Sequence, residues 1–250
     1  MMLRILLPLL LVHCAFAQAP EKGLIRVLAM GEPPTMIFKL QGGERVQQDP
    51  LPDSAPPRAI SVSGSVGREA AVPLTIGRFT PWVFVADKTL PIQLSEGVGE
   101  GAKKWATVKP PTVPMMAIFM KDRSQKKMTW KNPTRLEFAE TLQAYPNESI
   151  RVINLTPAAV AVKLGEKTAI SVGAGKAKIF TEDQGAKVKD TFADIRVKKN
   201  GNWARIMGTD LDLFRNQRMT ILVYMGDRPE TKDRVFVKTL SEPSRVPVVN

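Results

Sequence analysis

Histidine and cysteine are almost missing from this sequence. One of each is present among 250 residues, His13 and Cys14, and both lie close to the amino terminus. A chain that loses this segment on export has neither residue. It can form no disulfide, Cys/His zinc site, Ser-His-Asp triad or cysteine nucleophile. We therefore expect no metal, no cofactor and no catalytic residues, with stability coming from an apolar core that a chain of this length can build.

The amino-terminal segment has the features of a secretory signal peptide. A positively charged start precedes an apolar run from Ile5 to Ala15, and the small residues Ala15 and Ala17 stand before Gln18. The apolar run is too short for a permanent membrane anchor, so we expect no integral membrane span. Residues 1–17 are predicted to be removed. The mature protein is expected in the periplasm, at the cell surface or outside the cell, and the sequence leaves these three open.

Sustained helical periodicity is also lacking. Short runs of Val, Ile, Thr and aromatic residues alternate with Gly, Pro, Asn and Asp, which favours antiparallel strands throughout. The clearest local pattern is Asp194–Met207, where two alternating runs flank Asn200 and Gly201, a pair suited to a type I′ hairpin turn. The one candidate for a helical turn or two is Pro133–Tyr145.

Several short strings occur twice along the chain. The matches are Ile25–Val27 with Ile150–Val152, Lys39-Leu40 with Lys163-Leu164, and Ala117–Arg123 with Leu222–Arg228. Both copies open with paired strands and close with an apolar strand that ends in Met-x-Asp-Arg. The pattern predicts an all-β protein of two tandem antiparallel β-sandwich (Ig-like) domains that arose by internal duplication.

The predicted organisation follows from these matches. Residues 18–123 form the first domain, with a proline-rich insertion near residues 49–58 that accounts for its greater length. Residues 124–149 form a linker, residues 150–240 the second domain, and residues 241–250 a flexible tail.

The second copy resembles a group of exported bacterial β-sandwich proteins. The residues that carry the resemblance are "AYPNESIRVINLTPAAVAVKLGEKTAISVGAGKAKIF" (Ala144–Phe180), "NGNWARI" (Asn200–Ile206) and "RNQRMTILVYMGDR" (Arg215–Arg228). The resemblance spans roughly residues 144–228 and rests on strand and turn residues. It implies a secreted or cell-envelope β-sandwich of uncharacterised activity, and it carries no catalytic residues to this chain.

Positive charge exceeds negative charge along the chain. The formal net charge is +12, or +11 once Arg4 leaves with the signal peptide. An exported basic protein is suited to anionic surroundings such as acidic polysaccharides, phosphate-bearing polymers or membrane headgroups. The densest basic cluster is Lys198–Trp203. A possible binding surface consists of Trp130, Lys198, Lys199, Trp203 and Arg205, with both tryptophans expected to be partly exposed.

Two cofactor patterns are weaker than the ordinary structural interpretation. The loop Gly97–Trp105 lacks the GK[ST] ending of a nucleotide-binding loop, so we expect no nucleotide. Thioethers alone can hold Cu(I), and the methionines considered for such a site are Met115, Met116, Met120, Met219 and Met225. Methionine is also a common core filler, which is the interpretation we prefer.

We expect a non-catalytic binding or assembly protein that acts through strand edges and an exposed aromatic and basic surface. Its partner would be an envelope or extracellular protein or an anionic polymer, and a homo-oligomer is possible. The alternative is a module that binds polyanions or carbohydrate. A third alternative is an acid-based hydrolase, since glycosidases need only two carboxyl groups. No acid, however, stands in dense aromatic surroundings along the sequence.

Overall fold

The structure is a computed structural model that describes residues 23–65, 71–86, 90–124, 128–141, 143–166, 169–181, 191–212 and 217–243. The signal peptide expected at residues 1–17 lies outside the described residues. The described chain is all β, and its sheets pack as sandwiches, so the predicted β-sandwich class is confirmed.

The strands follow one another along the chain with short connections. They are β1 (Gly23–Ala29), β2 (Ile37–Gln41), β3 (Glu44–Gln48), β4 (Ala59–Val62), β5 (Val72–Pro73), β6 (Val83–Val85), β7 (Ile92–Glu96), β8 (Lys103–Val108), β9 (Met115–Met120), β10 (Thr134–Ala139), β11 (Ile150–Asn154), β12 (Val160–Leu164), β13 (Ile170–Val172), β14 (Ala177–Phe180), β15 (Thr191–Lys199), β16 (Asn202–Leu211), β17 (Gln217–Met225) and β18 (Val235–Pro243).

These strands form four sheets of four strands and one separate hairpin. In the first half of the chain (residues 23–140), inner sheet 1 has the order β6-β1-β9-β10 and outer sheet 1 the order β5-β4-β7-β8. In the second half (residues 150–243), inner sheet 2 has the order β14-β11-β17-β18 and outer sheet 2 the order β13-β12-β15-β16. The hairpin β2-β3 pairs with none of these four sheets.

The two halves have the same strand order. In each half the first strand pairs in parallel with the long apolar strand near its end, Ile25 opposite Met115 and Ile150 opposite Met219. The repeated "IRV" strings therefore occupy the same place. The hairpin β2-β3 has no counterpart in the described part of the second half. Lys39-Leu40 lies in that hairpin and Lys163-Leu164 in β12, so this sequence match does not correspond to a structural equivalence.

The strand pairing shows that one of the sequence matches is displaced by one residue. Because Met115 and Met219 hold the same position, Ala117 corresponds to Ile221 and not to Leu222. The burial pattern agrees, since Ala117 and Ile221 both face an outer sheet whereas Leu222 faces the opposite half. A shift of one residue reverses the face of every side chain in a strand, so the match of Ala117–Arg123 with Leu222–Arg228 was wrong in register.

Three apolar cores separate four layers. The first core lies between inner and outer sheet 1, and the second lies between inner and outer sheet 2. The third joins the two inner sheets and contains Leu28, Met116, Ile118, Ile153 and Leu222. Strands β1 and β11 are consequently buried on both faces. The two halves are held together by a continuous apolar interface in addition to the chain connection.

The segment between the repeats differs from its expected role. Residues 134–139, within the expected helical turn and the expected linker, form β10 and pair with β9 along its whole length. Leu136 and Phe138 pack in the third core, while Arg135 and Glu137 form an ion pair at 3.0 Å. Apolar and charged side chains therefore alternate along this segment, which is the pattern of a strand and not of a helix. Similarly, residues 241–243 of the expected flexible tail belong to β18, and residues 244–250 lie outside the described residues.

The hairpin predicted at Asn200 and Gly201 is confirmed. Both residues have positive φ, 51° and 84°, as a type I′ turn requires. Lys199 and Asn202 close the ladder on either side of the turn. The turn carries β15 back along itself as β16, at the edge of outer sheet 2.

Candidate functional site

The structure separates the five residues of the expected binding surface. Trp130 is 1% exposed and packs in the core of the first half, so its expected partial exposure was wrong. Its ring contacts Trp105, with the ring centroids 6.4 Å apart. Lys198, Lys199, Trp203 and Arg205 all lie exposed on the β15-β16 hairpin of outer sheet 2.

The outward face of this hairpin is aromatic and basic. Along β15, alternate side chains point outward at Phe192, Asp194, Arg196 and Lys198, while the residues between them are buried. Trp203 stands opposite Lys198, and Arg205 stands opposite Arg196.

The face continues onto the neighbouring strand of outer sheet 2. Lys163 of β12 lies opposite Asp194, so it shares the same face. We call this surface the basic-aromatic face; its residues are Lys163, Phe192, Asp194, Arg196, Lys198, Trp203, Arg205 and Asp210. Sequence reasoning missed Lys163, Phe192 and Arg196. The alternation along Thr191–Lys199 was the pattern that could have identified the last two.

Asp194 organises the centre of the basic-aromatic face. Its carboxylate accepts hydrogen bonds from Arg196, the shortest at 2.8 Å, and lies 3.3 Å from Nε of Arg205. The hydrogen bond from Arg196 holds the pKa of Asp194 below its usual value. The Arg205 guanidinium also lies 5.4 Å from the centre of the Phe192 ring. The Arg205 guanidinium lies over the backbone of Gly208, so a Cβ atom at position 208 would clash with it.

This face can bind an extended anionic molecule. Trp203 and Phe192 are 43% and 42% exposed, and such rings can pack against apolar faces of a ligand. Lys163, Arg196, Lys198 and Arg205 provide four cations against two acids, Asp194 and Asp210. Lys199 adds a fifth cation at the hairpin end. Positive charge therefore remains after the internal ion pairs are counted.

A buried charge cluster lies at one end of the interface between the inner sheets. Arg26 is 2.7 Å from Glu140 and also pairs with Glu242, while Arg151 is 2.6 Å from Glu140. Arg218 lies 4.0 Å from Glu140 and 3.9 Å from Glu242, close to the longest distance of an ion pair. All five side chains are nearly inaccessible to solvent. The pairs of Arg26 with Glu242 and of Arg151 with Glu140 cross from one half to the other, so the cluster joins the two halves.

The cluster is arranged almost symmetrically. Arg26 and Arg151 are equivalent residues of the repeated "IRV" strings, and Glu140 and Glu242 are equivalent because Ala139 and Ser241 pair with Met115 and Met219. Each arginine bonds the glutamate of the opposite half.

Tyr145 lies between two arginines of this cluster. The guanidinium carbons of Arg151 and Arg218 are 4.1 and 4.6 Å from the centre of its ring. Its hydroxyl shares a hydrogen bond with Thr220 at 3.2 Å. Burial raises the pKa of Tyr145 well above the ordinary value. The ring therefore remains a neutral, packed part of the junction.

A cavity of about 440 Å³ lies at the opposite end of the interface. Its wall contains a buried ion pair, with Nζ of Lys121 3.3 Å from Oδ2 of Asp227. Asp227 also accepts a hydrogen bond from the backbone N–H of Glu32, and its own N–H donates to the Glu32 carboxylate. Burial raises the pKa of Asp227. These bonds join the loop after β1 to the loop after β17 and close the junction at this end.

The methionines considered for copper do not meet in one place. Met115 and Met219 lie in the two outer cores, Met116 in the third core, and Met120 and Met225 at the cavity. Among the described residues, no cluster of three or more His, Cys, Asp or Glu side chains could hold a metal ion.

The hairpin β2-β3 exposes apolar side chains to an unusual degree. Phe38 is 52% exposed and Leu40 is 74% exposed, and both lie on the same face of β2. Met36, just before this strand, is also exposed. Val46 of β3 is also exposed. A two-stranded hairpin gains little stability alone, and exposed apolar patches commonly mark contact surfaces.

No protein-family model matches this chain, and no curated protein matches it. The described part of the chain contains no helix with the length and apolar character that crossing a membrane requires. The assignment of a function therefore rests on the surfaces described above.

Proposed function

We propose that this is an exported, non-catalytic binding protein that holds an anionic polymer on its basic-aromatic face. The observation that carries the proposal is the placement of Trp203 and Lys198 opposite each other on an exposed strand pair, with Arg196 and Arg205 alongside. The strands fix the backbone of these residues, so little order must be gained when a ligand binds.

Charge and shape favour an acidic polysaccharide among anionic polymers. Carboxylate or sulfate groups would pair with the lysines and arginines, and sugar rings would pack against the exposed indole of Trp203. The predicted signal peptide and the resemblance to exported β-sandwich proteins also fit this proposal, since such polymers lie outside the cytoplasm.

The proposal is tested with polygalacturonate as the probe. The Lys198→Gln and Trp203→Ala variants should each weaken binding by about 1 kcal/mol, or roughly fivefold, measured by isothermal titration calorimetry. Lys39→Gln is the matched control, because Lys39 lies in the β2-β3 hairpin, away from outer sheet 2. Equal binding by the Lys198 and Lys39 variants would show that the basic-aromatic face is not the site.

We also propose that the two halves are Ig-like domains produced by duplication. The shared strand order supports this origin, as does the crossed pairing of Arg26 with Glu242 and of Arg151 with Glu140. Reciprocal contacts of this kind are typical of two-fold symmetric dimers, so the ancestral unit would have paired with itself.

A second function is supported by the β2-β3 hairpin. Its outer strand edges pair with no other described strand and its exposed face carries Phe38 and Leu40, so it can pair with the same hairpin of a second copy. This hairpin would make the protein a self-assembling component of the envelope.

Self-assembly is tested by light scattering across a range of protein concentrations. The wild-type protein should form a dimer, and a Phe38→Ser/Leu40→Ser variant should remain a monomer with unchanged stability. Leu90→Ser removes an equally exposed apolar side chain elsewhere and serves as the control. A wild-type monomer at every concentration would exclude this second function without affecting the first.

A further inference from the structure

A groove of about 420 Å³ lies on the first half, far in sequence from the basic-aromatic face. One wall is the proline-rich loop that follows β3, and the other is formed by the end of β7 and by β8. The residues that determine its chemistry are Asp49, Asp53, Arg58, Glu96, Trp105 and Trp130. Its volume falls in the range of roughly 300–1,000 Å³ that is typical of small-ligand sites.

Trp105 provides a fixed aromatic surface in this groove. Its indole N–H donates a hydrogen bond of 2.9 Å to the carbonyl of Trp130, and its ring packs 4.9 Å from that of Phe119. Both contacts hold the ring in place. The partly exposed remainder of the ring can then support an apolar face of a ligand.

The proline-rich loop is held rigidly against the core. Pro56 and Pro57 are buried, and the backbone N–H of Trp130 donates a 2.8 Å hydrogen bond to the carbonyl of Asp53. Proline fixes φ, so the loop has few alternative conformations. The groove is therefore formed before any ligand enters it.

Unused hydrogen-bonding groups of both kinds line the groove. The carboxylates of Asp53 and Glu96 are exposed and have no hydrogen bond or ion pair among the described residues. Among the described residues Arg58 pairs only with Asp49, at 3.0 Å on the exposed rim, so other N–H groups of its guanidinium remain available to a ligand.

We infer that this groove binds an uncharged oligosaccharide. Sugar hydroxyls both donate and accept, so they can donate to the carboxylates of Asp53 and Glu96 and accept from the exposed guanidinium of Arg58. A sugar ring also presents an apolar face that suits Trp105. The three acids of the groove outnumber Arg58, so an acidic polymer would be repelled. The groove is thus a separate site from the basic-aromatic face.

This arrangement corrects an expectation from the sequence. No acid stands among aromatic residues along the chain, yet folding brings Asp53 and Glu96 into the same groove as Trp105 and Trp130. Residues from four separate segments build the groove, so no local pattern could reveal it.

The inference is tested with uncharged hexasaccharides: β-1,4-linked glucose, xylose and N-acetylglucosamine, and α-1,4-linked glucose. Binding is followed by tryptophan fluorescence and calorimetry on the full mature chain. At least one sugar should give a saturable change, with the same affinity at low and high salt because the ligand carries no charge. The absence of saturable binding with all four sugars would overturn the inference.

Two variants locate the binding. Asp53→Asn preserves the positive φ of 59° at this position, which asparagine tolerates well, and Glu96→Gln changes an exposed side chain. Each should leave the melting temperature unchanged and weaken sugar binding about tenfold, since a hydrogen bond to a charged acceptor is lost. Glu44→Gln on the β2-β3 hairpin is the control. Sugar affinity that is the same in Asp53→Asn, Glu96→Gln and the control would contradict the assignment, whatever the polygalacturonate result.

Discussion

Among single residues, Glu140 has a central place in the buried charge cluster. It is fully buried and lies within 4.0 Å of Arg26, Arg151 and Arg218. Removing its charge would leave three buried guanidinium groups with only Glu242 to balance them. Removing one partner of a buried ion pair is strongly destabilising, because the desolvation of the remaining charge is no longer offset by an opposite charge.

We predict that Glu140→Gln lowers the free energy of unfolding by about 3–5 kcal/mol. Urea denaturation followed by circular dichroism measures the change. Glu44→Gln changes an exposed glutamate of the β2-β3 hairpin and should stay within about 0.5 kcal/mol of wild type. Similar stabilities for the two variants would mean that the cluster contributes little to the junction.

The two tyrosines of the chain provide a second test at this scale. Burial raises the pKa of both Tyr145 and Tyr224 above the ordinary value of 10.0. The phenolate absorbance of the folded protein should therefore rise at higher pH than that of the urea-unfolded protein, which should titrate near 10.0. A raised folded-state pKa also means that stability falls as pH rises beyond 10.0. Identical absorbance titrations of folded and unfolded protein would contradict the burial of Tyr145 and the partial burial of Tyr224.

At the scale of elements, the β15-β16 hairpin carries the proposed binding face and depends on its turn. Gly201 has φ of 84°, a region that residues with a Cβ enter at a cost. Gly201→Ala should lower the free energy of unfolding by about 1 kcal/mol or more. Asn202→Ala, in the adjoining strand, is the control, and chemical denaturation compares the two. An equal effect of both substitutions would contradict the type I′ turn.

The alternation of apolar and polar residues in the sequence predicts a strand where one face of the sheet is exposed to solvent. Along Thr191–Lys199 buried and outward residues alternate, and the Asn200-Gly201 pair fixes the turn, so this hairpin could be predicted. Strand β10 could not, because "RLEFAE" also suits a helix. Its strand conformation depends on Leu136 and Phe138 packing against the inner sheet of the other half, a contact that no local pattern contains.

The expected site was predictable only in part for a similar reason. Lys198, Lys199, Trp203 and Arg205 are close in sequence, and a hairpin keeps them together. Trp130 is far from Trp105 along the chain, and its burial follows from that ring contact and from its place in the core of the first half. The crossed pairing of Arg26 with Glu242 also joins the two ends of the chain and has no sequence pattern.

At the scale of the whole molecule, the inner sheets share a core that is closed at both ends. The charge cluster closes one end, and the bonds among Lys121, Asp227 and Glu32 close the other. The third core lies between them. Neither half would keep its inner sheet buried if the other half unfolded.

We therefore predict that the two halves unfold together. Differential scanning calorimetry should show one transition whose calorimetric and van't Hoff enthalpies agree, giving a ratio close to one. Leu222→Ala removes an interface side chain and should lower the free energy of unfolding by about 2–5 kcal/mol without splitting the transition. Two separate transitions in the wild-type protein would contradict the shared core.

The central proposal is that positive charge on outer sheet 2 holds an anionic polymer, and its most direct test is the salt dependence of polygalacturonate binding. The affinity of the chain from Gln18 onward would be measured at about 0.02 M and about 0.5 M NaCl, where the screening length falls from roughly 20 Å to roughly 4 Å. We predict that affinity drops steeply with salt and that Lys198→Gln makes the dependence shallower. Binding that is absent at low salt, or equally strong at both salt concentrations, would contradict the proposal.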